Sequence, residues 1–323
     1  MDLSKYSNSF LSFLKAQTTF KEPSHLYDPV DYILSLGGKR IRPLLTLMSV
    51  DAFGKDYQLG LHAALAVEVF HNFTLLHDDI MDDAPLRRGK ATVHEKWDVN
   101  TAILSGDAMM ILANQYLEAY DGETYKRLMH LFQKTALEVC EGQQYDMDFE
   151  TRGDVSIPEY IEMIRLKTSV LVAAALKMGA IIANATEADA EGMYQYGLSL
   201  GLAFQLQDDY LDAFGDPETF GKQVGGDIIE NKKTFLFLKA YQNLEGAEQA
   251  QLLELFTHQQ VDLDFKIEKA KELFVKSMAV KEIQQEIKNY TQHAFEVLDH
   301  VAISSKTKEK LIGFGNYLMS RKV

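Results

Sequence analysis

Cysteine is nearly absent: Cys140 is the 1 cysteine in 323 residues. That excludes an internal disulfide and a cysteine-built metal site, and it suits a reducing cytosol. Proline is scarce, with 6 in the chain, so little interrupts a helix. Alternating apolar and polar runs bounded by hairpin turns are lacking, so nothing asks for a sheet. Basic charge is in the minority. There are 33 Lys plus Arg against 47 Asp plus Glu, a formal charge of −14. A general nucleic-acid surface needs a basic footprint, and this chain has none. The first residues, MDLSKYSNSFLSFLKAQ, lack a basic leader, a long apolar core and a small-residue cleavage site, so no signal peptide is expected. The most apolar stretch, residues 169–183, is broken by Lys177 and is too short for a bilayer. The expectation is a soluble, cytoplasmic protein with no nucleic-acid partner and no stable membrane insertion.

What is present points to helices. At 46% hydrophobic and 25% charged residues, the chain has material for a large core. Residues 61–81 carry apolar side chains every three or four positions. Ser156-Ile157-Pro158-Glu159 reads as a helix start, with a Ser cap, a Glu three residues on and a Pro in the first turn. The run after it, to about residue 183, and the run 187–214 are apolar over most of their circumference. Such helices are buried on several sides. Turn chemistry is confined to residues 36–38, 83–89, 150–155 and 215–226, and from about residue 243 the patterning weakens and charge rises. The expected fold is all-α, one domain over 1–323, with a central bundle wrapped by peripheral helices.

One five-residue pattern occurs twice. Asp78-Asp79-Ile80-Met81-Asp82 and Asp208-Asp209-Tyr210-Leu211-Asp212 each sit in the last part of a long apolar helix. Residues four apart share a helix face, so Asp78 pairs with Asp82 and Asp208 with Asp212. Asp79 and Asp209 are rotated by roughly 100° and are better placed as supporting or capping groups. Like charges at this spacing destabilise a helix, and carboxylates at its C-terminal end oppose its dipole. Acidic residues can merely solvate a helix end. Two copies of one unfavourable pattern on apolar helices fit that explanation poorly and suit a functional site. All-oxygen ligands favour a hard cation such as Mg²⁺, which takes one or two carboxylates plus phosphate oxygens.

The basic residues cluster in the same places. GGKRIRP (37–43) joins two helices, and Arg87-Arg88-Gly89-Lys90 follows the first aspartates. Lys167-Thr168 lies in an apolar run, where an ammonium needs a partner. Lys222 and Asn231-Lys232-Lys233 follow the second aspartates in a glycine-rich loop that could close on a ligand. His71 lies two turns before Asp78. Each cluster has a bland explanation as charge compensation; together they suit an anion held through metal.

These motifs resemble those of the trans-isoprenyl diphosphate synthases, the polyprenyl synthetase family of farnesyl and geranylgeranyl diphosphate synthases. The matching pieces are GGKRIRP (37–43), LLHDDIMDDAPLRRG (75–89), GQQYD (142–146), RLKTS (165–169), FQLQDDYLDAFGD (204–216) and GKQVGGDIIENKK (221–233). The resemblance implies an all-α bundle around a deep cavity, the isoprenoid synthase fold, usually as a homodimer. It implies condensation of isopentenyl diphosphate with an allylic diphosphate, with Mg²⁺ at three ions per active site. Asp78, Asp82 and Asp208 would bind metal, with Asp212 facing the same site. Arg87, Lys167 and Lys222 would hold the allylic diphosphate, and Lys39, Arg42, His71 and Arg88 isopentenyl diphosphate. Thr168 and Gln205 would sit beside the developing cation. Lys232 matches a further family lysine near the closing loop.

A class I terpene cyclase also ionises an allylic diphosphate but needs neither the second aspartate cluster nor a second diphosphate site. A non-catalytic metal-binding protein would leave the grouped lysines and arginines unexplained. Product length is expected to be set on the helix of Asp78. Thr74 lies one turn deeper, Phe73 beside it and Phe70 two turns deeper, at about 5.4 Å per turn. A small Thr74 lets a tail pass, and Phe73 or Phe70 then forms a floor. This favours geranylgeranyl over farnesyl diphosphate, since farnesyl enzymes with this aspartate spacing often carry aromatics at both matching positions.

Overall fold

The apolar periodicity is realised as helices throughout. The computed structural model describes residues 3–17, 21–216, 224–257 and 262–320. In chain order the helices are α1 (Ser4–Gln17), α2 (Ser24–Ser35), α3 (Ile41–Ala52), α4 (Leu61–Met81), α5 (Val93–Lys96), α6 (Val99–Tyr116), α7 (Gly122–Thr151) and α8 (Ile157–Ile164). There follow α9 (Val170–Ile182), α10 (Glu187–Phe214), α11 (Gly226–Ile229), α12 (Phe235–Asn243), α13 (Gly246–Leu255), α14 (Leu263–Lys276), α15 (Ala279–Asp299) and α16 (Ser305–Met319). The chain divides into two compact units, Met1–Lys134 with Ala174–Met193, and Thr135–Ala173 with Tyr194–Val323.

In the first unit α4 is the core helix. It packs along α6 and against α3 and α2. Leu65, Phe70 and Leu76 are fully buried on it, each contributing about 1.5–3 kcal/mol of hydrophobic stabilisation. With the turn before it, residues Tyr57–Met81 are apolar and long enough to cross a membrane, the one such segment among the described residues. This is a different segment from the 169–183 stretch singled out by sequence. Its apolar window is 67% buried in protein, which is how a core helix of a globular protein behaves.

The end of α4 is built by its own aspartates. Asp83 takes a left-handed conformation, φ +48°. The Ala84 amide then donates to the Asp79 carbonyl at 2.9 Å and the Asp83 amide to that of Ile80 at 3.3 Å. This is a Schellman closure with aspartate where glycine is usual. The strain of a non-glycine residue there is placed directly beside the aspartate pattern.

The loop beyond holds the one sheet among the described residues, which the sequence reading did not anticipate. Strands β1 (Leu86–Arg87) and β2 (Lys90–Ala91) pair antiparallel, Leu86 with Ala91 and Arg87 with Lys90. Arg88 and Gly89 both have positive φ, 54° and 72°, as a two-residue hairpin turn of the I′ kind requires. At two residues each, the strands are too short to show alternation.

In the second unit the predicted capping box is present. Ser156 Oγ accepts the Glu159 amide, and Glu159 returns a carboxylate oxygen to the Ser156 amide at 2.9 Å. The helix begun there does not run evenly to residue 183. Residues Arg165–Ser169 form a π turn between α8 and α9, and Ser169 Oγ donates to the Ile164 carbonyl within it. Two glycines make room for this wide turn. A Cβ on Gly142 of α7 would lie 2.2 Å from the Lys167 nitrogen, and one on Gly201 of α10 would lie 2.8 Å from the Ser169 Cα. Aromatic residues of α12 and its neighbours, among them Phe235, Phe237, Phe256 and Phe274, fill the core beneath.

Candidate active site

In the first unit Asp78 stands half-buried in the last turn of α4 and Asp82 caps its end, exposed, while Asp79 turns inward and is buried. Asp79 grips Arg87. The Arg87 Nε lies 2.8 Å from both Asp79 oxygens and its Nη2 lies 2.6 Å from Oδ1. The same Nη2 is 3.9 Å from Asp78 Oδ2. Burial pushes the Asp79 pKa up and Arg87 opposes that shift. Asp79 thus fixes a guanidinium against the aspartate end of the helix, as its rotation on the helix predicts.

Around His71 the arginines gather. Arg42 Nη1 lies 3.1 Å from His71 Nε2. Arginine only donates, so Nε2 accepts and the imidazole proton sits on Nδ1. Burial, then Arg42, Arg88, Arg87 and Arg40, hold the His71 pKa well below the usual imidazole value. His71 is therefore a neutral group among cations, with one N–H to offer an anion. Arg88 donates to the Gly37 carbonyl, and its guanidinium lies where a side chain on Gly38 would be, within 2.8 Å of the Cβ position. Gly37 and Gly38 both have positive φ, 81° and 115°, a backbone that side-chain-bearing residues rarely adopt, which accounts for the paired glycines of GGKRIRP. Lys39 is exposed in the same segment.

The second unit carries Lys167 and Thr168 on the π turn. The Lys167 ammonium is 2.6 Å from Asp146 Oδ2, the partner that an apolar helix demanded. Thr168 Oγ1 donates to Gln205 Oε1 at 3.3 Å, and Gln205 Nε2 donates to Asp209 Oδ1 at 3.2 Å. Tyr160 donates its hydroxyl to Asp209 Oδ2. Asp209 is buried. That burial, and then the neighbouring Asp227, push its pKa well up, while Tyr160 and Gln205 pull it down. Asp208 and Asp212 are half-buried on the same helix. Asp212 also ties down the segment that follows: its Oδ2 accepts the Asp227 amide at 3.0 Å and its carbonyl accepts the Gly225 amide at 2.6 Å. Lys232 pairs with Glu230 at 2.8 Å. Lys222 lies outside the described residues.

Of the three positions linked to product length, Phe70 is fully buried and packs edge-on against Phe132, with centroids 5.3 Å apart. Phe73 lies next to it at 5.6 Å and stacks edge-on with His77 at 4.8 Å. Thr74 is half-exposed, and its hydroxyl donates back to the His71 carbonyl at 2.8 Å. Phe132 was invisible to sequence reasoning, because only tertiary packing brings α7 to α4.

Other residues were missed for similar reasons. Arg40, in a left-handed conformation, donates to the buried Glu68 and to the Leu34 carbonyl, and Asn72 donates to Glu68 at 2.8 Å. A lone glutamate on an apolar helix was the available signal. Asp83, His94 and Glu95 also bring one ligand atom each within 4.8 Å of one another. The imidazole makes that group softer than the all-oxygen set expected for Mg²⁺.

Comparison with known proteins places this arrangement. The sequence matches the family described as polyprenyl synthetase over residues 23–274. It is 38% identical over 303 residues to a geranylgeranyl pyrophosphate synthase of Geoglobus acetivorans, covering 93% of this chain and 92% of that one. It is 40% identical over 242 residues to a geranylfarnesyl diphosphate synthase of Natronomonas pharaonis, covering 69% and 71%. A crystal structure of a geranylgeranyl pyrophosphate synthase matches at a TM-score of 0.96 and 55% identity over 100% of both chains. Those motifs, in that order on an all-α frame, now have a family to answer to: the chain belongs to the polyprenyl synthetases, with the isoprenoid synthase fold, and is a prenyltransferase of isoprenoid biosynthesis.

Proposed function

We propose that this chain condenses isopentenyl diphosphate with dimethylallyl, geranyl and farnesyl diphosphates, with geranylgeranyl diphosphate as its main product. The observation that supports two diphosphate substrates is the group of Arg40, Arg42, Arg87 and Arg88 around a neutral His71. A cyclase, with one substrate, has no use for that group in addition to Lys167 and its partner Asp146. On this reading Lys39, Arg42, His71 and Arg88 hold isopentenyl diphosphate, Arg87, Lys167 and Lys222 hold the allylic diphosphate, and Lys232 is a further substrate-binding lysine.

Polyprenyl synthetases depend on Mg²⁺, and the carboxylate donors suit it. Asp78, Asp82 and Asp208 are the proposed ligands for three ions, with Asp212 as a further candidate that also anchors the segment after α10. The chemistry bound Mg²⁺ supplies is neutralisation of the charge growing on the departing diphosphate. The lysines and arginines share that charge through hydrogen bonds. As the allylic C–O bond breaks, the oxygens of Thr168 and Gln205 supply partial negative charge to the carbon left behind. The isopentenyl double bond, held by the arginines, attacks that carbon from close range. Proton loss ends the step, and the departing diphosphate is the proposed acceptor.

Further readings go with this one. The family match runs through both compact units, which supports a single catalytic domain over 1–323. Val99, Ile103, Leu104 and Ile111 are exposed apolar residues on α6, a surface suited to a second copy of the chain in a homodimer. A cytoplasmic location follows from the substrates and the near-absence of cysteine.

The test is incubation with labelled isopentenyl diphosphate, each allylic primer and Mg²⁺, with products read by mass spectrometry. A twenty-carbon diphosphate is expected, and no incorporation of label would end the proposal. Thr74→Phe should shift the product to fifteen carbons, and Phe73→Ala should lengthen it. Unchanged lengths in both variants would move the floor off α4.

A further inference from the structure

The hydrogen-bond chain on the π turn and α10 has a direction. Tyr160 donates its hydroxyl to one oxygen of Asp209. Gln205 donates its amide N–H to the other at 3.2 Å. Thr168 donates its hydroxyl to the Gln205 oxygen at 3.3 Å. Every donor in the chain points toward the carboxylate, and Asp209 and Tyr160 are 4% and 3% exposed, so bulk water does not compete for these bonds.

Asp209 accepts at both of its oxygens, from Tyr160 at one and Gln205 at the other, whereas a side-chain amide can turn either end to its neighbour. The partner below therefore decides which end of Gln205 faces outward. With Asp209 accepting, the Gln205 nitrogen is held inward and its oxygen is presented to Thr168. The Thr168 proton is in turn committed to that oxygen, which leaves the Thr168 lone pairs for other company.

We propose that Asp209 is a positioning residue that sets the polarity of this chain, so that Thr168 and Gln205 present oxygen, and not N–H or O–H, to the carbon that becomes cationic. This rests on the reading above that Thr168 and Gln205 lie beside that carbon. It assigns the second aspartate of the pattern a task separate from metal binding. The task needs a group that accepts at both oxygens, which asparagine, of the same shape, is not. Cooperative polarisation along the chain strengthens each bond while the direction is uniform.

The test uses the full chain with inorganic diphosphate, Mg²⁺ and two isosteric prenyl probes. One carries an ammonium where the cation develops, and the other is neutral there. The parent chain should prefer the ammonium probe. Asp209→Asn lets Gln205 turn over, and should lose roughly ten- to a hundredfold of that preference, the worth of a hydrogen bond to a charged group. Its kcat should fall by a similar factor, with both substrate KM values and the affinity for the neutral probe unchanged within about twofold. The double variant Gln205→Glu with Asp209→Asn restores an acceptor at 205 held by a donor at 209, so it should recover the preference.

No preference in the parent chain would sink the underlying reading of Thr168 and Gln205. Preference in the parent that persists in Asp209→Asn would overturn the polarity assignment alone. If Asp209→Asn does not melt cooperatively, the double variant decides: folded and without preference, it overturns the assignment as well.

Discussion

The same five-residue aspartate pattern ends α4 and lies near the end of α10, yet the middle aspartate is handled differently in each. Asp79 is answered by a guanidinium: Arg87 covers both its oxygens and reaches toward Asp78. Asp209 is answered by neutral donors, Tyr160 and Gln205. One helix end carries compensated charge, and the other keeps a carboxylate whose neighbours, Asp227 and Asp208, oppose its ionisation. The pattern is repeated in sequence but not in electrostatics. On α4 the middle aspartate holds a cation in place. On α10 it holds a dipole in place. The first aspartates, Asp78 and Asp208, are where the two regions are alike, both half-buried on their helices.

The likeness gives the largest expected effect. Asp78→Ala and Asp208→Ala should each reduce kcat by on the order of a thousandfold, comparable to removing a principal group that stabilises transition-state charge. Chelation of Mg²⁺ should abolish turnover in the parent chain, and added Mg²⁺ should restore it. Steady-state assays across a Mg²⁺ titration check this. Near-parent activity in either variant would break the parallel between the two ends.

Much of this could be read from the sequence because it depends on local geometry. Helical rotation alone turned Asp79 and Asp209 away from their neighbours. The Ser156 cap followed from spacing. The cost of an unpaired ammonium demanded a partner for Lys167, although only the fold showed that it is Asp146 of the GQQYD stretch. What stayed hidden depends on contacts distant in sequence. Nothing local pairs Arg40 with Glu68, 28 residues apart, or brings Phe132 to Phe70. The π turn at Arg165–Ser169 was hidden for a related reason. The room for it is left by Gly142 and Gly201 on other helices, and the sequence of the turn itself has ordinary helical character.

The difference between the middle aspartates gives the next effect. Asp79→Asn removes one charge of a buried pair and leaves Arg87 with only the longer 3.9 Å contact to Asp78. Loss of one member of such a pair costs about 3 kcal/mol, discounted toward about 2 kcal/mol because the Arg87 side chain is 24% exposed and partly screened. Asp209→Asn keeps neutral donors opposite a neutral side chain, and should shift stability by less than about 1 kcal/mol while slowing turnover. Denaturant unfolding of the two variants side by side is the measurement. Equal losses would mean that the two helix ends are built alike after all.

The last expected effect, absent at pH 7 and growing only in acid, concerns His71, the neutral residue in the arginine group. Its folded pKa lies well below the ordinary value. As pH falls through about 6.5, the unfolded chain takes up a proton at this residue and the folded chain does not. The unfolded state then binds more protons, so stability contributed by His71 is present above about pH 6.5 and declines as pH drops toward the folded pKa. The decline from this one group is at most about 1.4 kcal/mol per pH unit. His71→Gln keeps a hydrogen-bonding side chain that does not titrate, so its stability curve between pH 7 and pH 5 should be flatter than that of the parent by that slope. Parallel curves would place a proton on His71 in the folded chain. Arg42 could not then be donating to it, and the group would hold an anion by charge alone.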